Sequence, residues 1–470
     1  MGIPFWSVLG YLVVTSAIGM VAGRRKGQGG VREFFVAGGQ LSWLLLMPFM
    51  MGQYITTTAV VGTTEMAHEL GVVSMVYYFG SLLGAAIFIF GLAKFYVSIK
   101  KITIGEAFAI LFDRRTRLAC VLILMTATSL MMPIAFLGVG AILAPMLNIP
   151  YESGVWLAVA FVTAIAIFGG LRGIAWMNVI HIVVMVICLI PATVASVNAA
   201  GGLGQLIASL PAEHLSWVRP GGFTIAAWLI SSSLMRALSA ISVTAVFAAK
   251  DEKSAKLSLI TSGVFLVLFS VMPTLIGLAA YVIMPDISSR MALWEMGELG
   301  GVAISTMVSI SVLAAIVSST PGFLLSLGGI ATRDIFLLIK PNASERTQLF
   351  FSRIVMIILP IGGTLFAFTQ PSLMGMVLDM AQVRAIFAVI LLVSVFWRRL
   401  HPSAAFWTGL LGACGGFIWF FADSPFGIEP LWVALTIGIL TLIIVSIRKK
   451  PSPYKGLRGL DITLADGERT

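Results

Sequence analysis

Phe49-Met50-Met51-Gly52-Gln53-Tyr54-Ile55-Thr56-Thr57-Thr58-Ala59-Val60-Val61-Gly62-Thr63-Thr64-Glu65 decides how this chain is read. The stretch lies inside an apolar run that begins near Leu41, yet it carries two glycines, a glutamine and five threonines. A helix facing lipid has no use for that content. A helix that breaks at mid-membrane and offers backbone oxygens to an ion does. The stretch is therefore read as a discontinuous helix that forms half of an ion and solute site.

The rest of the chain supplies the membrane setting. Of its 470 residues 59% are hydrophobic and 11% charged, against roughly 25% charged in a soluble protein. Apolar runs of about 20 residues recur from end to end, each long enough to cross the hydrocarbon. They are continuous rather than alternating, which excludes a β-barrel. The expected fold class is an all-α polytopic membrane protein. The net charge of +10 sits in short loops between apolar runs, where it sets orientation and does not point to nucleic acid. Cys120, Cys188 and Cys414 all fall inside apolar runs and imply neither disulfides nor a metal site.

About thirteen spans are counted at this length scale, centred near residues 13, 54, 83, 131, 160, 187, 235, 269, 310, 358, 386, 411 and 438. The first has no basic residue before it and Arg24-Arg25-Lys26 after it, the reverse of a signal peptide. Numbering the spans in order puts the N-terminus outside and the C-terminus in the cytoplasm of a cell (inner) membrane. The alternate loops then hold Lys100, Lys101, Arg114, Arg115 and Arg117, Arg172, Lys250 and Lys253, Arg333 and Lys340, and Arg398 and Arg399, whereas the outer loops hold only Arg219 and Arg290. The chain reads as a single transporter domain: 1–40 a first span and loop, 41–198 one repeat, 222–398 a second, 399–447 two peripheral spans and 448–470 a tail. That tail is too short for a kinase domain, which argues against a membrane sensor.

Spans two and seven are the most polar-interrupted helices. Span seven reads Ser231-Ser232-Ser233-Leu234-Met235-Arg236-Ala237-Leu238-Ser239-Ala240-Ile241-Ser242. Lying five spans apart, the two enter the membrane with opposite orientation, which fits two inverted five-helix repeats with a binding site near the midplane. Small residues also serve simple packing in membrane helices. Span nine carries Ala314-Ala315-Ile316-Val317-Ser318-Ser319-Thr320-Pro321-Gly322, three hydroxyls ending at a Pro-Gly break. Neutral oxygens of this kind suit a monovalent cation; the same hydroxyls also suit bonding back to the preceding turn.

From about Gly10 to Pro402 the chain resembles the sodium:solute symporter family. Phe34-Phe35-Val36-Ala37-Gly38-Gly39, Val60-Val61-Gly62 with Glu65-Met66-Ala67, Ile149-Pro150-Tyr151, Gly169-Gly170-Leu171-Arg172-Gly173-Ile174-Ala175-Trp176, Ala248-Ala249-Lys250-Asp251, Thr332-Arg333-Asp334-Ile335-Phe336 and Phe396-Trp397-Arg398-Arg399 carry the likeness, in order and at family spacing. The resemblance implies a LeuT-type fold, an inverted 5+5 repeat core with discontinuous helices. It implies one sodium ion (Na+) held by the carbonyls of Gly52, Ile55 and Ala315 and the hydroxyls of Ser318 and Ser319. By the same likeness the solute faces Gln53, Tyr54 and Thr57, then Tyr77, Tyr78 and Ser81, and span seven near Ser232.

The chain departs from the family pattern on span six. Met177-Asn178 stands where the family usually has Thr-Asp, and His181 where Gln is common. The missing carboxylate weighs against a second sodium and leaves His181 as either a proton-responsive group or a packed one. Arg236 and Arg384 are cations deep in apolar runs, each costing about 2.5 to 3.5 kcal/mol on insertion scales. Asp379 is a ready partner for a structural network; alternatively Arg236 meets a solute carboxylate, whose shape its planar fork matches. Asn178, His181, Asp379 and Arg384 are therefore assigned structural or gating roles.

The expected function is sodium-coupled symport of a small organic solute, a carboxylate by preference, through alternating access. The alternatives are a neutral amino acid as solute or a proton-coupled, sodium-independent carrier. No catalytic constellation is visible, so an enzyme is not expected.

Overall fold

The computed structural model describes residues 3–23, 30–99, 101–368, 382–397, 400–422 and 424–448. Asp379 lies outside them. Inside hydrocarbon every backbone N–H and C=O needs a partner, and a helix meets that need within one segment. The described residues accordingly contain helices and turns and no strand beyond one isolated bridge. Nine of their helices are long and apolar enough to cross a membrane.

In order, span one is Ile3–Gly23 and span three Val76–Gly91, and span four begins as Arg114–Met131 and continues as Pro133–Leu147. Spans five and six are joined in one run, Tyr151–Ala199, whose 49 residues would measure roughly 74 Å if straight. The run breaks at Gly170, whose φ of 52° and ψ of −171° suit a residue without Cβ. Span eight is Glu252–Ile283, span nine Gly301–Ile330 and span ten Glu345–Ala367. Ala385–Phe396 is the described part of span eleven, and Pro402–Phe421 and Pro430–Arg448 follow as a pair packed on each other.

Spans two and seven are both broken. Span two runs as Trp43–Tyr54, leaves helical geometry at Ile55 (φ −85°, ψ 81°), passes a wide turn at Thr58–Gly62 and resumes as Thr63–Leu70. Span seven runs as Gly222–Leu238, opens at Ser239 (φ −56°, ψ 123°) and resumes as Ala240–Ala248. The start of span two and the end of span seven are tied together, with Leu41 N donating to Ala248 O at 2.8 Å and Lys250 N to Leu41 O at 3.0 Å. Span nine departs from expectation: Pro321-Gly322 does not break it, and the helix runs through to Ile330. Proline removes one N–H from the ladder. In the interior of a bundle neighbouring helices absorb that loss, and Pro321 and Gly322 are both buried.

The face that carries most basic loops is clamped by ion pairs. Arg117 pairs with Asp334 at 2.7 Å and donates to Arg333 O at 2.8 Å; Arg333 pairs with Glu106 at 2.8 Å; Arg172 pairs with Glu33 at 2.9 Å. Thr103 and Glu106 form a capping box at the start of Ile104–Leu111, satisfying donors that the helix leaves open. On the opposite face the segment after Ala199 crosses the bundle. Its His214 ring lies 3.9 Å from that of Tyr281, and its Nε2 reaches His68 O at 3.2 Å.

Two measurements check this architecture. A Cβ on Gly84 would lie 2.3 Å from Ser233 O and 2.8 Å from Arg236 Cβ, so spans three and seven can approach only over glycine. Gly84→Val is expected to destabilise the purified protein by about 1–3 kcal/mol, read as a lower Tm, whereas Gly10→Ala, with nothing within 4 Å, leaves it unchanged. Burial alone would raise the Glu106 carboxyl, but the Arg333 guanidinium and the N–H groups of Ile102 and Thr103 outweigh it and hold the group below its ordinary value. Its contribution to stability is therefore full above the ordinary carboxylate titration and is lost as pH falls through the depressed one. Glu106→Gln is expected to flatten the acid limb of Tm against pH.

Candidate functional site

The break in span two faces span nine, and neutral oxygens collect there. Ser318 Oγ donates to Gly52 O at 3.0 Å and lies 2.9 Å from Ala315 O; Ser319 Oγ lies 3.0 Å from Ala315 O. Gly52, Ala315, Ser318 and Ser319 thus stand in direct hydrogen-bond contact, and Ile55, the first non-helical residue, lies three positions on. The back-bonding expected of such hydroxyls is present, Thr320 to Ile316 O included. Ser318 differs from its neighbours because its hydroxyl also reaches the broken helix. Gly52 allows the approach of span six: a Cβ there would lie 2.6 Å from Asn178 Nδ2, which donates to Phe49 O at 3.3 Å. Gly322 does the same for Gln53, whose Nε2 donates to Ser318 O at 2.9 Å. No group of three or more His, Cys, Asp or Glu side chains suited to a metal occurs among the described residues.

Beside this cluster lies a cavity of about 370 Å³. Gln53, Tyr54, Tyr77 and Tyr78 line it. Arg384, Gln382, Ser231, Ser239, Glu65 and Glu69 line it as well, with an apolar remainder that includes Trp228, Met235 and Phe323. Thr57 is in the wall of a smaller adjoining chamber of about 70 Å³, with Thr56, Thr58, Thr128, Ser319 and Thr320. Ser81 and Ser232 are not in the cavity wall. The Ser81 hydroxyl faces Arg236 at 3.5 Å, and the Ser232 hydroxyl donates back to Trp228 O at 2.7 Å.

The two arginines separate. Arg236 is fully buried outside the cavity wall, with Cζ 4.0 Å from the centre of the Tyr54 ring and Nη2 donating to Ser262 Oγ and Leu259 O in span eight. Arg384 is in the wall, and its buried Nε has no hydrogen-bond partner among the described residues. His181 is fully buried away from the cavity, bonded through Nδ1 to the Tyr11 hydroxyl of span one. Asn178 Oδ1 and Gln53 Oε1 are buried without partners among the described residues.

Sequence reasoning passed over Glu65, Glu69, Trp228, Met235 and Phe323 as wall residues. The signal for the carboxylates was present: Thr58, Gly62, Glu65 and Glu69 recur at helical spacing, so a carboxylate stripe continues the threonine face. Phe323 and Met235 carried no such signal, because an apolar residue in an apolar run looks the same whether it faces lipid or a cavity.

Comparison with known proteins agrees with this architecture. An uncharacterised symporter of Bacillus subtilis (strain 168), YwcA, is 22% identical over 86% of this chain and 83% of its own. The sodium/pantothenate symporter of Escherichia coli (strain K12) is 21% identical over 86% of this chain and 88% of its own. The outward-open, substrate-bound structure of a Na+-coupled sialic acid symporter superposes with a TM-score of 0.80 at 16% identity, covering 96% of this chain and 98% of that one. Residues 34–412 match the sodium:solute symporter family as a whole. The chain belongs to the sodium:solute symporter family and is a multi-pass membrane transporter rather than an enzyme.

Proposed function

We propose that this transporter couples inward movement of one sodium ion to import of a small organic carboxylate. The observation that carries the reading is the Ser318 hydroxyl, set between the carbonyls of Gly52 and Ala315 at the break in span two. Five neutral oxygens from Gly52, Ile55, Ala315, Ser318 and Ser319 would replace the water shell of a monovalent cation without burying negative charge. Sodium bound there joins two helices from different repeats and favours the outward-open arrangement, a population shift driven by the gradient. Its loss to a low-sodium cytoplasm releases the solute.

The solute sits in the adjoining cavity, with Gln53, Tyr54, Tyr77 and Tyr78 on its walls. Arg384, lying in the wall with a buried Nε that has no partner among the described residues, takes the carboxylate better than Arg236, which is turned away behind Tyr54. Pantothenate, for which the Escherichia coli relative is named, is itself an acid, in keeping with this reading. A neutral amino acid is the second reading, favoured by Glu65 and Glu69 in the same wall, where an ammonium group would find them. The alternation of basic loops supports an N-terminus outside and a C-terminus in the cytoplasm, in a cell membrane.

Thermal stability of the purified protein in sodium against potassium tests the ion. A ligand at 100 times its Kd adds about 2.7 kcal/mol, and the sodium-dependent rise in Tm is expected to vanish in Ser318→Ala. A rise that follows pH instead of sodium would move the coupling to a proton. A panel of small carboxylates, amino acids and sugars added in sodium tests the solute. The carboxylate that raises Tm further is expected to bind about tenfold or more weakly to Arg384→Gln, the loss of one charge-assisted hydrogen bond; unaltered binding there rules Arg384 out as its partner.

A further inference from the structure

Tyr54 and Arg236 stand at matching places in the two repeats. Tyr54 ends the first half of span two, one position before the break at Ile55. Arg236 lies in the last turn of the first half of span seven, just before the break at Ser239. The Tyr54 ring faces the Arg236 guanidinium at 4.0 Å, and its hydroxyl shares a 2.7 Å hydrogen bond with Ser242, beyond that break. One side chain from span two therefore grips span seven on both sides of its opening.

Arg236 is itself held from behind. Nη1 reaches Ser81 Oγ on span three, and Nη2 donates to Ser262 Oγ and Leu259 O on span eight. These are all neutral groups. They orient the guanidinium without cancelling its charge, which stays available to the π face of the tyrosine. A planar fork stacks on a ring, and a lysine ammonium does not reproduce that contact. Met235, Ser239 and Ile241 on span seven line the same cavity as Gln53 and Tyr54 on span two.

We propose that Arg236 is a positioning residue that, through Tyr54, couples the break in span two to the break in span seven. The occupancy of the ion site at Gly52 and Ile55 then sets the span-seven wall of the solute cavity. The proposal rests on the sodium site described above. It assigns Arg236 neither to the ion nor to the solute.

The test needs sodium alone. In a background with Cys120, Cys188 and Cys414 replaced by alanine, Ser231→Cys reports from the span-seven wall. Its rate of modification by a charged, water-soluble methanethiosulfonate is compared in NaCl and KCl, beside the Tm in each salt. Sodium is expected to change the rate by about fivefold or more, the low end of ordinary coupling between sites. Adding Tyr54→Phe, Ser242→Ala or Arg236→Lys is expected to bring that ratio close to one while sodium still raises the Tm. An unchanged ratio in all of them overturns the proposal. So does loss of the sodium Tm rise together with the ratio, since the residues would then belong to the ion site itself. A Tm rise without any rate change in the parent sinks the coupling and spares the sodium site; no response of either kind in the parent means that the sodium site has failed, and the coupling with it. Should Arg236→Lys not fold, Tyr54→Phe and Ser242→Ala decide, because each deletes one hydroxyl and leaves no buried charge alone.

Discussion

A helix that opens inside hydrocarbon has to find partners for the backbone groups it uncovers, and much of this structure follows from where those partners come from. At Ile55 the ladder of span two is interrupted, and a hydroxyl of span nine, Ser318, reaches across to Gly52 O. That contact demands that spans two, six and nine lie close. Closeness demands Gly52 beneath Asn178 and Gly322 beneath Gln53, because any side chain there would collide with the amide already present. The glycines and hydroxyls of the two stretches are thus one requirement seen from two sides.

Buried charge follows a similar rule and resolves into two kinds of site. Arg236 is surrounded by hydroxyls, a carbonyl and an aromatic face, all neutral, and lies wholly within protein. Such a cation is kept in place by several weak partners rather than by one strong one. Arg384 lies against open space, with a buried Nε that no described group satisfies. A desolvated donor without a partner is costly, and a ligand that supplies the partner recovers that cost. The same residue type therefore stands in two settings, one enclosed by neutral partners and one in the wall of a cavity. At the basic face, by contrast, arginines meet carboxylates directly, and Arg117, Asp334, Arg333 and Glu106 join the loop after span three and the start of span four to the segment that follows span nine. Arg236 in the middle of the bundle is held by neutral groups, and the charges at its end lock it by pairing.

Much of the fold was legible before any coordinates, because a membrane imposes strong rules on sequence. Apolar runs had to be helices, basic loops had to alternate, and polar interruptions at Thr56–Thr58 and Ser231–Ser242 had to mark opened helices. The openings occur at Ile55, one residue before the threonines, and at Ser239, inside the serine-rich stretch. Pro321-Gly322 shows the limit of such reading. It looked like a third break, yet the helix continues, because a lost N–H in a packed interior does not compel the chain to unwind.

What the sequence determined alone was the set of helices, which two of them open, and the stretches of spans two and nine that are rich in neutral oxygens. These follow from composition along a single segment, where hydropathy and hydrogen-bonding demand act locally. What only the tertiary structure decided was direction. Span nine turns Ser318 towards Gly52, span seven turns Ser232 back on its own turn while Ser231 lines the cavity, and Arg384 rather than Arg236 reaches open space. A helix repeats every 3.6 residues, so neighbouring side chains point about 100° apart. Which of them meets lipid, protein or cavity depends on how the helices are rotated against one another. That rotation is set by close contacts such as Gly84 against Ser233, and no one segment contains both halves of such a contact.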